Sequence, residues 1–111
     1  MAMLPEIELA IKSLTPIRFR YIREGKTAEL RIGNPHAVFI RRLKNGDENV
    51  YLHLWQTDGA SDSKDLKQPL PSWRQCFLDS INDVELLSED GPFKICSDYN
   101  PTSYEYPICI I

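Results

Sequence analysis

The sequence predicts a mainly β fold, a small antiparallel barrel opened by one N-terminal α-helix, and three observations carry that prediction. Apolar residues fall at helical spacing only near the start, over residues 4–14. From Ile17 onward the period changes to two. About five or six short strands bounded by turn signals then follow, and closing them on themselves removes the exposed edges that a flat sheet would leave.

The helix is read from Leu4, Ile7, Ala10, Ile11 and Leu14, with Pro5 tolerated in the first turn, Glu6 and Glu8 near the positive end and Lys12 near the negative one. Pro16 disfavours helical geometry at Thr15. Ile17, Phe19 and Tyr21 then share one strand face, and the turn-like Glu24-Gly25-Lys26 leads to a partner strand with Ala28, Leu30 and Ile32 opposite Glu29 and Arg31. Gly33-Asn34-Pro35 reads as a break. A second hairpin is predicted from His36–Leu43, the Asn45-Gly46 turn and Val50–Trp55. In that last strand Val50, Leu52 and Leu54 face the core while Tyr51, His53 and Trp55 face outward. Residues 57–72 are polar with two prolines and read as one long mobile loop. Trp73–Leu78 and Ile81–Leu87 supply further strands, and a tail over 88–111 ends with a strand at Tyr104–Ile111. The helix is expected to cover one open end of the barrel, and 1–111 to form a single domain.

Composition narrows the function classes. With 111 residues, 42% apolar and 26% charged, the chain supports one modest core. A formal charge of −3 argues against a general nucleic-acid coat or a membrane-surface binder, so any anion site must be local. The acidic residues near the start do not suit a signal peptide, and no apolar run approaches membrane-spanning length, so a cytoplasmic protein without membrane partners is expected. Cys76, Cys96 and Cys109 lie too far apart for a CxxC motif and are odd in number, and they read as free thiols.

Catalytic signatures are lacking: His36 and His53 are the only histidines, and no glycine-rich phosphate loop or HExxH motif occurs. The chain is read as a non-enzyme with no cofactor and no metal site. Arg18, Arg20 and Arg31 carry more interest, because hairpin pairing is expected to gather them on one strand face, with Arg74 joining from a later strand. Guanidinium groups suit phosphate, and nearby aromatics such as Tyr51 or Trp55 could stack a base. The alternative for these arginines is an ordinary solvated sheet face paired with Glu29 and its neighbours.

Three runs resemble the WYL domain: Arg31-Ile32-Gly33-Asn34-Pro35-His36-Ala37-Val38-Phe39, then Val50-Tyr51-Leu52-His53-Leu54, then Arg74-Gln75-Cys76-Phe77-Leu78-Asp79-Ser80-Ile81-Asn82-Asp83-Val84. That family shows an Arg followed four residues later by Pro, a Trp-Tyr-Leu strand and an Arg-rich stretch ending in Leu-Asp-Arg-Ile. Arg31 and Pro35 match the first motif, Tyr51 and Leu52 the second, and Arg74, Leu78, Asp79 and Ile81 the third. Val50 stands in place of the Trp, and Phe77 and Ser80 in place of further arginines. The resemblance spans about residues 7–87. It implies an SH3-like barrel, of a kind found mostly in bacterial regulators behind a helix-turn-helix, that binds nucleic acid or a nucleotide-like anionic ligand through basic residues. On this reading the ligand-binding residues are Arg31, Tyr51, Arg74, Arg18, Arg20 and His53, and the partner is single-stranded nucleic acid or a nucleotide. The rival is a protein-interaction module that docks a peptide or self-associates through a barrel edge, which the acidic net charge favours.

Overall fold

Where the sequence turns from helical spacing to alternation, the chain does the same. The computed structural model describes residues 3–25, 28–59 and 70–111. The helix α1 spans Leu4–Lys12, with Pro5 in its first turn, and buries Ile7, Ala10 and Ile11. It ends where the Ser13 hydroxyl donates back to the Leu9 carbonyl at 2.7 Å and Leu14 takes a left-handed φ of 54°.

Among the described residues six strands follow: β1 (Ile17–Tyr21), β2 (Glu29–Arg42), β3 (Glu48–Gly59), β4 (Ser72–Phe77), β5 (Ile81–Leu86) and β6 (Tyr106–Ile110). They form one antiparallel sheet in the order β4-β3-β2-β1-β5, with β6 added to the far half of β2. A single 3-10 turn, Leu78–Ser80, joins β4 to β5. The molecule is therefore mainly β, a small antiparallel barrel-like domain with one N-terminal helix. Its core gathers Ile17, Phe19 and Tyr21 of β1, Val38 of β2, Leu52 and Leu54 of β3, Cys76 of β4 and Ile81 of β5 beneath the apolar side of α1. The helix packs against β2, β5 and β6.

Asn45-Gly46 forms the predicted tight turn: Gly46 has φ +88°, and the Leu43 amide donates to the Asp47 carbonyl at 2.7 Å. Gly33-Asn34-Pro35, by contrast, does not break the chain. β2 runs through it as a single strand of 14 residues, because the irregular residues sit at two register shifts, between Ile32 and Gly33 and between Pro35 and Ala37. Pro35, which has no N–H to give a ladder, lies where β2 changes neighbour from β1 to β6. Gly33 is required by close approach, since a Cβ there would lie 2.6 Å from the Trp55 carbonyl oxygen.

Two further boundaries differ from the sequence expectation. Thr57, Asp58 and Gly59 extend β3 and Ser72 opens β4, so the polar stretch is shorter than residues 57–72. The mobility expected of its middle, residues 60–69, lies outside the described residues. The last strand begins at Tyr106 rather than Tyr104.

Candidate functional site

Register decides what the sheet presents outward. Residues directly opposite one another share a face, so Phe39 of β2, Tyr51 of β3 and Phe77 of β4 form one row, with Ala37, His53 and Gln75 in the next and Trp55 beside Trp73 beyond. Leu52 and Leu54 point the other way and are fully buried. The bulge between Pro35 and Ala37 adds His36 to the aromatic side. Rings touch along the first and last of these rows: Phe39 stacks on Tyr51 with centroids 5.7 Å apart, Tyr51 meets Phe77 at 4.9 Å, and Trp55 meets Trp73 edge-on at 5.3 Å.

This face is not left bare. The segment 92–105, which leaves the barrel where the Phe93 amide donates to the Leu14 carbonyl at 2.7 Å, crosses it and lays down Phe93, Tyr99 and Tyr104. His36 is the hub beneath, with ring centroids 4.9 Å from Trp73, 5.2 Å from Phe93 and 5.1 Å from Tyr99. Its Nε2 accepts the Cys96 amide at 3.1 Å and its Nδ1 bonds to the Asn34 carbonyl at 2.8 Å. His53 bonds through Nδ1 to the Tyr104 hydroxyl at 2.6 Å, and the Trp73 indole N–H donates to the Asp98 carboxylate at 3.0 Å.

Burial governs the charges here. It pushes His36 below the ordinary imidazole range, and it pushes His53 down to about 4, with the positive charges of His36 and Arg41 adding to the effect. Tyr104 is pushed up to about 12, chiefly by burial. Asp98 is held low by hydrogen bonds from Cys96 and Trp73.

A cleft of about 440 Å³ opens where the segment leaves the sheet. Phe39, Arg41 and Arg42 of β2 form one side, His53 and Gln75 the floor, and Tyr104 with Glu105 the other side. Arg42 is committed, pairing with Glu48 at 2.8 Å and lying 4.6 Å from the centroid of the Tyr106 ring. Arg41 is held differently. Its guanidinium carbon sits 5.4 Å from the Tyr51 centroid and 5.8 Å from that of Phe39, it is exposed, and among the described residues it makes no ion pair. A cation placed by two aromatic rings, beside hydrogen-bonding groups on His53, Gln75 and Tyr104, can receive an anion and stack a planar group next to it.

The six residues singled out from the sequence fall in three places. Tyr51 and His53 lie on the aromatic face as predicted. Arg18 and Arg20 lie on the outer side of β1, where Arg18 Nε donates to Glu85 at 3.1 Å and Arg20 stands 3.7 Å from Asp83. Arg31 does not join them. It is 2% exposed, opposite Phe19 on the core side, bonded to Glu29 at 3.1 Å and to the Cys76 sulfur at 3.5 Å. The hairpin register pairs Arg18 with Ile32 and Arg20 with Leu30, which leaves the odd-numbered Arg31 on the opposite face. Tyr51 and Arg31 are therefore on different sides of the sheet. Arg74 is half-buried on the same inner side as Arg31, opposite Leu54, and donates to Ser72 and to the Trp73 carbonyl.

Arg41 was the residue that sequence reasoning passed over, although the Asn45-Gly46 turn sets the register that pairs Phe39 with Tyr51 and places Arg41 next along the same face. Tyr104 had no comparable signal. Among the described residues no helix is long and apolar enough to cross a membrane. Comparison of the chain with protein-family models, with curated proteins and with solved structures finds no match.

Proposed function

We propose that this chain is a non-catalytic, WYL-like ligand-binding domain of the cytoplasm that takes a nucleotide or a short single-stranded nucleic acid in the cleft beside Arg41. The observation that carries this reading is the arginine itself: exposed, steadied by Tyr51 and Phe39, and free of any ion pair among the described residues. Arg41 would hold phosphate, Tyr104 would offer a ring face, and Gln75 and His53 would supply hydrogen bonds to a base edge. With a net charge of −3, attraction is confined to this patch, which favours a small ligand over a long polyanion.

Titration of the tryptophan emission with a nucleoside monophosphate and with a short oligonucleotide, at low salt, tests it. Arg41→Ala is expected to weaken binding about tenfold or more, as loss of a charge-assisted hydrogen bond does, while Arg18→Ala leaves it unchanged. Absence of binding by the wild type, or equal binding by Arg41→Ala, overturns the reading. The rival, docking of a peptide or a second copy, draws on Ile108 and Ile110, which β6 leaves more than a third exposed. Phosphate binding falls steeply with salt, whereas an apolar contact hardly responds, so the same titration repeated at rising salt separates the two.

A further inference from the structure

We propose that the segment 92–105 is a proton-released clasp: unprotonated His36 and His53 fasten it to the aromatic face of β2, β3 and β4, and acidification frees it while the barrel stays folded. The inference is independent of what the cleft binds, because it concerns only how this segment is held.

The hydrogen bonds at His36 dictate its protonation state. The Cys96 amide can only donate, so Nε2 must present its lone pair at 3.1 Å, and the ring proton must then sit on Nδ1, donating to the Asn34 carbonyl at 2.8 Å. A second proton would go to Nε2 and face the Cys96 N–H, turning an attraction into a repulsion. No water can soften this, since the side chain is fully buried between Trp73, Phe93 and Tyr99. His53 makes the same point by charge: the Tyr104 hydroxyl can still accept from a protonated ring, but that ring would carry its charge into a largely buried place and close to Arg41.

The groups facing the two rings do not compensate. Arg41 and Arg42 on β2 are cations, and β4 contributes only neutral Trp73 and Gln75. From the segment itself come neutral Cys96, Tyr99 and Tyr104, and the carboxylates of Asp98 and Glu105. Asp98 is already engaged by the Trp73 indole and by Cys96, and Glu105 lies exposed at the cleft mouth. Burial consequently outweighs both carboxylates, and each imidazole titrates below its ordinary value. A released segment binds protons from about pH 6.5 downward whereas the docked one does not until lower pH, so docking is complete above that value and weakens as pH falls beneath it.

Amide hydrogen exchange read by NMR from pH 7.5 to 4.5 tests this. The protection factor of the Cys96 amide is expected to drop about tenfold or more across that range while that of the β1 amide Phe19 holds. His36→Gln, whose side-chain carbonyl can accept the Cys96 N–H and does not titrate, is expected to lose markedly less of that protection, the remaining loss being the share of His53. Should the variant fail to fold, the wild-type His36 ring shifts serve instead, and their midpoint must coincide with the loss of Cys96 protection. The proposal is overturned if Cys96 protection persists to pH 4.5, if it falls together with that of Phe19, if it falls equally in His36→Gln, or if His36 titrates without affecting it.

Discussion

The guanidinium of Arg31 lies over the ring of Tyr21, its central carbon 4.5 Å from the ring centroid, and the Tyr21 hydroxyl accepts the Phe77 amide at 2.8 Å. β1 and β4 are not neighbours in the sheet, so this bond ties the edge strand β4 to the interior strand β1. Arg31 lines that seam, with Glu29 and the Cys76 sulfur as further partners. A buried cation in such a place holds structure rather than ligand.

Arg31→Ala is accordingly expected to destabilise the fold by roughly 2 to 4 kcal/mol, through lost packing on Tyr21 and a deprived Glu29 carboxylate. Tyr21→Phe, which removes only the acceptor for the Phe77 amide, should cost about 1 to 2 kcal/mol. Urea unfolding reads both. An Arg31→Ala protein as stable as the wild type would show that the seam contributes nothing.

Strand parity gives the next expectation. Leu52 is fully buried while Leu30 is 50% exposed, although both alternate with polar neighbours in the sequence. Leu52→Ala is expected to cost about 2 to 5 kcal/mol and Leu30→Ala no more than about 0.5 kcal/mol. Equal losses by thermal or urea unfolding would mean that β2 is paired in a different register.

At Gly33 the two strands β2 and β3 come so close that a methyl group would meet the Trp55 carbonyl oxygen at 2.6 Å and the Gln56 Cα at 2.8 Å. Those are backbone atoms and cannot swing aside. Gly33→Ala is expected to cost roughly 1 to 3 kcal/mol, in line with overpacking elsewhere. It should also shift the amide resonances of Trp55 and Gln56, which a two-dimensional NMR spectrum reports directly.

Acid should weaken the docking of segment 92–105 in a defined window. The His53 side chain titrates near 4 with the segment docked and near 6.5 once it is released, so between those values the released form takes up a proton that the docked one does not. Docking is complete above about pH 6.5 and weakens as pH falls toward 4, by at most about 1.4 kcal/mol per pH unit for this group, and less because it retains some contact with water. His53→Phe removes its share, so Cys96 amide protection measured at pH 7.5, 6 and 5 should change less in the variant than in the wild type.

The strands, the helix and the inward set of Leu52 and Leu54 were legible because each rests on a local period, and the Asn45-Gly46 turn fixes one hairpin without help from the rest of the chain. Gly33-Asn34-Pro35 misled for a physical reason: residues that punctuate a turn also serve a bulge, and only pairing with the partner strand β3 decides which. Arg31 misled because an arginine reads as surface, whereas its face is set by its pairing with Phe19. The outward row of Tyr51, His53 and Trp55 was visible in the alternation. What covers it was not, since residues 92–105 have no period and reach the site through long-range contacts such as that of Tyr104 with His53.

β2 also divides two layers: Val38 belongs to the barrel core, while the adjacent Phe39 lies under Tyr104 on the other side. The parity that sends each to its own layer is set by the extra residue at His36 and Ala37. Deleting or inserting one residue between that bulge and the Asn45-Gly46 turn would therefore exchange the two populations, putting Phe39 into a space shaped for valine and Arg41 toward the apolar interior. Length variation in this part of the chain should be tolerated only in steps of two, which keep every side chain in its layer.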